Sequence, residues 1–324
     1  MNYIDLHCDT IMALMDHLDD NHLKDVPLQV NVNKLKQGNC LLQCFAMFVH
    51  LKKTSNPLER CIQMIDRFYE ELNSHSEELA LVLEYEDLDK NRKDGKISCL
   101  LTVEEGAVTK SDLRYLRTLH RLGVRMICLN WNFENGIGYP NFILNTNPDF
   151  TTPNTTHGLT AYGKRMVREM NRLGMIVDVS HLSDKGFYDC IELSSKPIVA
   201  SHSNARSVCH HVRNLTDEMI LSLKKTGGVM GLNFCAAFLD DDEEKGKDTV
   251  PCLLRHLQYI KELAGVEVLA IGSDFDGISP DISLQDASFM PKLFEAMRLN
   301  GWTEEEIEQV AYKNFLRVLK ANLT

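Results

Sequence analysis

The sequence predicts a single-domain (β/α)8 barrel of the TIM type that takes up the whole chain, residues 1–324. Two observations lead to this fold class. Eight short apolar runs of strand length follow one another along the chain, and amphipathic stretches of helix length alternate with them. No internal repeat, low-complexity tract or flexible linker divides the sequence. A doubly wound open sheet is the alternative architecture for the same alternation.

The predicted strands are identified by their apolar runs. Several of them are almost continuously hydrophobic, as parallel strands buried on both faces usually are. In chain order they are residues 3–7, 41–49, 97–103, 125–130, 175–179, 197–201, 228–233 and 268–272.

The predicted helices lie between the strands and after the last one. Thr216 and Thr303 each precede acidic residues, which is typical of an N-cap and the first helical turn. The predicted helices are residues 57–72, 111–122, 160–173, 183–193, 216–225, 250–264, 286–299 and 303–321. Residues 139–156, rich in Pro and Asn, are too long for a tight turn and are expected to form a loop over the barrel mouth.

Composition excludes several classes of partner. The chain has 35 Lys and Arg against 46 Asp and Glu, a net charge of −11, so nucleic acid and anionic membrane surfaces are not expected partners. No apolar run approaches the roughly 18 residues of a membrane helix, and the first residues lack the features of a signal peptide. The ten cysteines are scattered instead of spaced as a disulfide framework. We therefore expect a reduced, cytoplasmic protein.

Ionisable residues follow several predicted strands at the end where barrel enzymes carry their chemistry. His7 and Asp9 end the first strand, and residues two apart on a strand face the same side. The third strand ends in two adjacent glutamates, Glu104 and Glu105, of which only one can face inward. These residues are candidates for a metal site at the rim of the barrel.

Three further candidates lie at the ends of other strands. His181, His202 and Asp274 follow the fifth, sixth and eighth predicted strands. Burying so many ionisable groups without partners would cost several kcal/mol each. A shared pair of cations is the simplest explanation, with one carboxylate bridging the two and ligands on either side.

At these residues the chain resembles the membrane (renal-type) dipeptidase family of binuclear zinc peptidases, within the amidohydrolase superfamily. The resemblance runs in order through nearly the whole chain, and its longer motifs are specific. The matching segments are residues 5–10 (DLHCDT), 103–106 (VEEG), 174–183 (GMIVDVSHLS), 201–206 (SHSNAR), 213–217 (RNLTD) and 272–277 (GSDFDG).

The resemblance implies two Zn²⁺ ions per chain. His7 and Asp9 would bind one ion. His181 and His202 would bind the second. Glu104 would bridge the two ions, because the family motif places the ligand at the first residue of the adjacent pair.

The resemblance also implies how a substrate is bound and cleaved. Asp274 would act as the acid/base residue beside the activated water, and Arg213 would bind the C-terminal carboxylate of the substrate. The alternative for Arg213 is an ion pair with Asp217, about one helical turn further on. A homodimer is the expected assembly, as in the family.

Two departures from the family pattern matter. Mammalian-type members carry a histidine just after the fourth strand that is thought to steady the oxyanion, whereas residues 129–135 of this chain contain none. We also expect this protein to lack the secretion signal and lipid-anchor tail of the mammalian enzyme. The chain therefore resembles a bacterial, cytoplasmic branch, and its oxyanion-supporting residue is not identified by sequence.

The predicted function is hydrolysis of the amide bond of small dipeptides, with L,D-dipeptides among the candidate substrates. Hydrolysis of another small amide, a lactam or an N-acyl amino acid by the same metals is the alternative, because fold and metals do not fix a substrate. A metal-bound homologue that serves as a scaffold or sensor is a third hypothesis. Against it, every expected metal ligand and the acid/base aspartate are present.

Overall fold

The computed structural model describes residues 1–18, 21–142 and 149–323. Its parallel strands close into a barrel of eight, as predicted, with a ninth short strand beside it. The strands are β1 (Tyr3–Asp5), β2 (Cys40–Phe48), β3 (Leu79–Leu81), β4 (Ile97–Glu104), β5 (Met126–Cys128), β6 (Ile176–Asp178), β7 (Val199–Ala200), β8 (Val229–Leu232) and β9 (Leu269–Ile271).

Strand pairing settles the choice between a barrel and an open sheet. The order of neighbours is β2-β1-β9-β8-β7-β6-β5-β4, and pairing between β2 and β4, from Leu42↔Ser98 to Phe48↔Glu104, closes the ring. The open-sheet alternative is therefore wrong. β3, which pairs with the first residues of β4, was not predicted, because three residues are too few to show a period.

Helices cover the outside of the barrel. The structure confirms Thr216 and Thr303 as N-caps, each accepting a hydrogen bond from a backbone N–H of the following turn. The helices are α1 (Thr10–His17), α2 (Val32–Gly38), α3 (Pro57–Ser74), α4 (Glu86–Lys93), α5 (Leu113–Arg121), α6 (Ala161–Leu173), α7 (Asp184–Leu193), α8 (Asp217–Lys225), α9 (Ala236–Leu239), α10 (Glu243–Gly246), α11 (Thr249–Ala264), α12 (Met290–Leu299), α13 (Glu304–Glu308) and α14 (Asn314–Asn322).

Several helices differ from the prediction. α1, α2, α4, α9 and α10 were not predicted, because each has at most eight residues, too few to show a clear helical period. The predicted helix 303–321 is interrupted by a π-helical turn, Gln309–Lys313, between α13 and α14. A π turn shifts the apolar face without any Gly or Pro to mark it, so periodicity alone reads the three parts as one helix.

The barrel interior divides into an apolar half and a polar half. Each barrel strand contributes at least one apolar side chain to a buried cluster, together with Phe315, Val318 and Leu319 of α14. The side chain of Asn314 donates to the carbonyl of Leu269, where β9 begins, so α14 closes the N-terminal end of the barrel. The C-terminal ends of the strands remain for polar groups.

The described parts of the predicted loop 139–156 lie at the mouth of the barrel. Residues 143–148 of this loop lie outside the described residues. On one side of them, Asn141 N–H donates to the His181 carbonyl at 2.9 Å; on the other, the Phe150 carbonyl accepts from Val212 N–H at 2.9 Å. The loop is thus attached to the segments that follow β6 and β7. Within the described ranges, no helix combines the length and the apolar character needed to cross a bilayer.

Candidate active site

Glu104, the last residue of β4, lies among three buried histidines that follow β1, β6 and β7. Its Oε2 is 3.1 Å from His7 Nε2, whereas its Oε1 is 3.0 Å from His181 Nε2 and 3.6 Å from His202 Nε2. The two carboxylate oxygens therefore face two different sides. One side holds His7, and the other holds the His181–His202 pair.

Two aspartates complete the cluster on the His7 side. Asp9 Oδ1 and Asp274 Oδ1 lie 3.7 and 3.8 Å from His7 Nε2. Three groups of side chains place their donor atoms within 4.8 Å of one another, close enough to surround a metal ion. These groups are His7, Asp9 and Glu104; Glu104, His181 and His202; and His7, His202 and Asp274.

Glu105 points away from this cluster. Its backbone has a φ of 94°, and its carboxylate accepts hydrogen bonds from the N–H groups of Ala107 and Trp131 and from the side-chain amide of Asn135. Burial raises the pKa of Glu105 to about 7 despite these three donors. Only Glu104 of the adjacent pair faces the histidines.

The hydrogen bonds of two histidines set their tautomers. His181 Nδ1 donates to Asn132 Oδ1 at 2.7 Å. His202 Nδ1 donates to Ser201 Oγ at 2.7 Å, because that hydroxyl donates its own hydrogen to Asp178. Both Nε2 atoms are therefore unprotonated and lie 2.9 Å apart. Two lone pairs at that distance repel each other, and a cation bound between them removes the repulsion.

Further atoms at the centre of the cluster lack hydrogen-bond partners. His7 Nε2, Asp9 Oδ1 and Glu104 Oε1 are buried and accept or donate no hydrogen bond within the described residues. Leaving buried polar atoms unpartnered is costly, and metal coordination is one way to satisfy them. Imidazole nitrogens and carboxylate oxygens suit Zn²⁺ and neighbouring divalent metals, so the donor set fits a metal centre.

The charged groups around the cluster also favour a cation at its centre. Burial disfavours the charged form of His7, yet the carboxylates of Glu104 and Asp9 outweigh it and raise the pKa of His7 to about 10. Burial and the Arg213 guanidinium lower the pKa of His181 to about 3. The carboxylates thus stabilise a cation on the His7 side, and the neutral His181 presents a free lone pair.

Two aspartate–serine pairs link neighbouring strand ends next to the cluster by hydrogen bonds. Asp178 accepts from the Ser201 backbone N–H at 3.0 Å and from its hydroxyl. Asp5 accepts from the Ser273 backbone N–H at 2.8 Å and from its hydroxyl at 2.6 Å. Sequence reasoning did not single out these residues. The available signal was an aspartate two or three residues before a strand-end histidine, with a serine directly before His202 and before Asp274.

Asp274 is held in place by a neighbouring strand. Its Oδ2 accepts from Asn233 Nδ2 at 2.9 Å, and its backbone adopts a φ of 65°. Burial raises the pKa of Asp274 to about 6. Asn233 ends the predicted strand 228–233, for which sequence reasoning named no site residue.

Arg213 lies beside the histidine pair and is buried, with 3% of its surface exposed. Its guanidinium donates to the His202 carbonyl at 3.1 Å and to Ser203 Oγ at 3.3 Å, and its Nε has no acceptor. Within the described part of the chain it forms no ion pair. The alternative pairing with Asp217 is wrong, because that carboxylate accepts from Ser207 and Tyr259.

In the segment 129–135, where mammalian-type members of the family carry a histidine, Trp131 packs among other aromatic rings. The Trp131 ring lies 6.1 Å from the His181 ring and 5.0 Å from both the Phe48 and His50 rings. Behind Phe48 and His50 is a cavity of about 520 Å³, whose lining also includes Met12, Lys53, Asn56 and Arg60. In the segment 129–135 it is Asn132, through its bond to His181, that contacts the cluster directly.

Comparison with known proteins places the chain in a family. Residues 1–323 match the family described as membrane dipeptidase, peptidase family M19. Mouse dipeptidase 3 is 32% identical over 332 residues, which cover 98% of this chain and 64% of the mouse protein. Dipeptidase tcpJ of Claviceps purpurea is 30% identical over 307 residues, covering 92% of this chain and 70% of that protein.

Solved structures give the same result. The crystal structure of dipeptidase AC, a metallopeptidase of family M19, has a TM-score of 0.91 at 26% identity, covering 100% of this chain and 99% of that one. A Rhodobacter sphaeroides metallopeptidase, liganded with a phosphinate mimic of the dipeptide L-Ala-D-Ala, has a TM-score of 0.90 at 25% identity, covering 99% of both chains. The chain belongs to the membrane dipeptidase family, peptidase family M19, and is a metallopeptidase hydrolase.

Proposed function

We propose that this protein is a binuclear zinc dipeptidase that hydrolyses small dipeptides. The observation that carries the proposal is the position of Glu104, whose two oxygens face two separate donor sets. His7 and Asp9 would hold one Zn²⁺, and His181 and His202 would hold the other, with Glu104 bridging. A carboxylate between two such sets is the arrangement of two-metal hydrolases.

When bound, the two ions would polarise the substrate carbonyl and lower the pKa of a water molecule. Asp274 is the side chain placed to move the proton. Its Oδ1 faces the cluster and its Oδ2 is held by Asn233, so the carboxylate keeps one orientation. It would accept the proton of the attacking water and return it to the departing amine.

Arg213 would bind the C-terminal carboxylate of the substrate. It is a buried cation beside His202, and among the described residues its guanidinium donates only to uncharged acceptors. A buried guanidinium without a counter-ion is unstable by itself and attracts an anion. The planar guanidinium binds a carboxylate through two parallel hydrogen bonds, which would orient the dipeptide with its amide carbonyl over the metals.

The relatives support a dipeptide substrate. The R. sphaeroides metallopeptidase is liganded with a mimic of L-Ala-D-Ala, and we propose that L,D-dipeptides are substrates here as well. From the resemblance of the sequence to the family and from its scattered cysteines, we also propose that the protein is a cytoplasmic homodimer. All ten cysteines are free thiols, as expected in a reducing compartment.

Hydrolysis of a dipeptide panel by zinc-loaded protein tests the proposal. The panel contains L,L- and L,D-dipeptides with their C-terminally amidated forms, and a chelated sample serves as the control. We expect metal-dependent cleavage that strongly favours free dipeptides over amides, with about two zinc ions per chain by elemental analysis. Cleavage that survives full chelation, or equal cleavage of acids and amides, contradicts the proposal.

The second candidate is hydrolysis of another amide, such as an N-acyl amino acid or a lactam. The cavity of about 520 Å³ lined by Phe48 and His50 supports it, because Trp131, which contacts both rings, also contacts His181. Its volume exceeds the needs of a small side chain. N-acyl amino acids keep the free carboxylate that Arg213 would bind. A panel of N-acyl amino acids of increasing chain length, compared with dipeptides of the same C-terminal residue, separates the two candidates.

A further inference from the structure

We infer that Arg206 is the positioning residue that aims Arg213 at the carboxylate of the substrate, and that Asp184 holds Arg206 in place. The inference rests on the proposed role of Arg213. It concerns how that side chain is oriented, since no carboxylate among the described residues holds it.

Arg206 forms hydrogen bonds with the backbone on both sides of Arg213. Its Nε donates to the Asn214 carbonyl at 2.8 Å, and its Nη2 donates to the Val212 carbonyl at 3.1 Å. These are the residues directly before and after Arg213 in the chain. A side chain that fixes both flanking carbonyls fixes the direction in which the residue between them projects.

Asp184 anchors Arg206 to the metal-site side of the barrel. The two side chains form a bidentate ion pair with both N–O distances at 2.8 Å. Asp184 is the first residue of α7, three residues after His181. The loop carrying Arg213 is thereby tied to the turn that carries a predicted metal ligand.

Asn141 strengthens the same junction. Its side-chain amide donates to Asp184 Oδ1 and to the Val212 carbonyl, both at 2.7 Å, and its backbone N–H donates to the His181 carbonyl. The mouth loop, the turn after β6 and the loop after β7 therefore meet at one set of hydrogen bonds. This junction lies beside Arg213 and does not include its guanidinium.

The way in which the charged side chains pair supports the inference. Arg206 and Arg213 are neighbouring arginines, and the carboxylate of Asp184 neutralises only Arg206. The neutralised arginine is available for structure, whereas the other retains its charge for a ligand. If Asp184 paired with Arg213 instead, it would compete with the substrate carboxylate.

Arg206→Lys tests the inference, because an ammonium group cannot make the bidentate pair and also reach both flanking carbonyls. We expect KM for free dipeptides to rise about tenfold or more, with kcat changed less. The ratio of kcat/KM between a dipeptide and its C-terminal amide should fall by about tenfold as well. Asp184→Asn should shift both quantities in the same direction.

The control is Arg298→Lys, which weakens an exposed pair with Glu304 far from the mouth and should leave the ratio unchanged. A merely structural role for Arg206 would lower the melting temperature and the active fraction but leave KM and the acid-to-amide ratio at wild-type values. That result, together with a collapsed ratio in Arg213→Lys, overturns the inference and leaves the proposed function standing. An unchanged ratio in Arg213→Lys refutes the carboxylate site itself, and the inference with it.

Discussion

The hydrogen bond from His202 to Ser201 predicts how Ser201→Ala affects metal binding. His202 is 1% exposed, so water cannot replace the lost hydroxyl at its Nδ1. A buried donor without an acceptor costs about 1–3 kcal/mol. The ring is then free to move its proton to Nε2, which removes the lone pair that would bind the metal. We expect the affinity of the His181–His202 side for zinc to fall about 10–100-fold.

Ser273→Ala is the matched control for this prediction. Ser273 is fully buried and donates to Asp5 in the way that Ser201 donates to Asp178. It holds no imidazole. Both variants lose an aspartate–serine hydrogen bond and should lose a comparable free energy of unfolding. Only Ser201→Ala also disturbs a histidine tautomer.

Zinc competition against a chromophoric chelator, followed by elemental analysis, measures the effect. At a chelator concentration where wild type and Ser273→Ala keep about two ions per chain, Ser201→Ala should keep about one. An equal loss of affinity in both variants would refute the reasoning, because it would trace the effect to general destabilisation. Unchanged affinity in Ser201→Ala would refute it as well.

Three other variants test separate parts of the molecule. Asp274→Asn should keep its metals but lower kcat by at least about 10²-fold, and near-normal turnover in steady-state assays would contradict the acid/base role. Glu104→Gln should lose at least one of the two ions by elemental analysis, and full metal content would contradict the bridging role. His256 is buried with a pKa lowered to about 4 by desolvation, so its stabilisation is present above pH 6.5 and is lost as pH falls toward 4. Between pH 7 and pH 5 this loss amounts to about 2 kcal/mol, and denaturant unfolding of His256→Gln should show a correspondingly smaller decrease.

The sequence allowed the barrel strands to be predicted because each is an apolar run that ends in a change to polar residues. The same change marked the positions of His7, His181 and His202. It did not decide between Glu104 and Glu105, since alternation requires only that one of them faces inward. The structure shows why: Glu105 is turned outward by donors that include Trp131 and Asn135, more than 25 residues away in sequence.

The spacing of the supporting aspartates and serines is visible in the sequence, but their pairing could not be predicted, because the partners lie on different strands. Asp178 is matched with Val199 of β7 by the register of the barrel, which brings its carboxylate to Ser201 and hence to His202. Asn233 reaches Asp274 from the neighbouring strand in the same manner. Register depends on closure of the whole ring, whereas local patterns show only which face of a strand is polar.

Formation of the candidate metal site also depends on closure of the barrel. β1 pairs with β9 through Asp5 and Ile271, and a parallel β-bridge joins Cys8 to Phe275. The first and last strands of the barrel therefore stabilise each other. The His7 carbonyl accepts a hydrogen bond from the backbone N–H of Asp274, which places two site residues more than 260 positions apart on one ladder. The His7 side of the cluster therefore depends on the pairing of greatest sequence separation in the barrel. The His181–His202 side depends on the adjacent strands β6 and β7. Loss of the pairing between β1 and β9 should therefore weaken metal binding on the His7 side first.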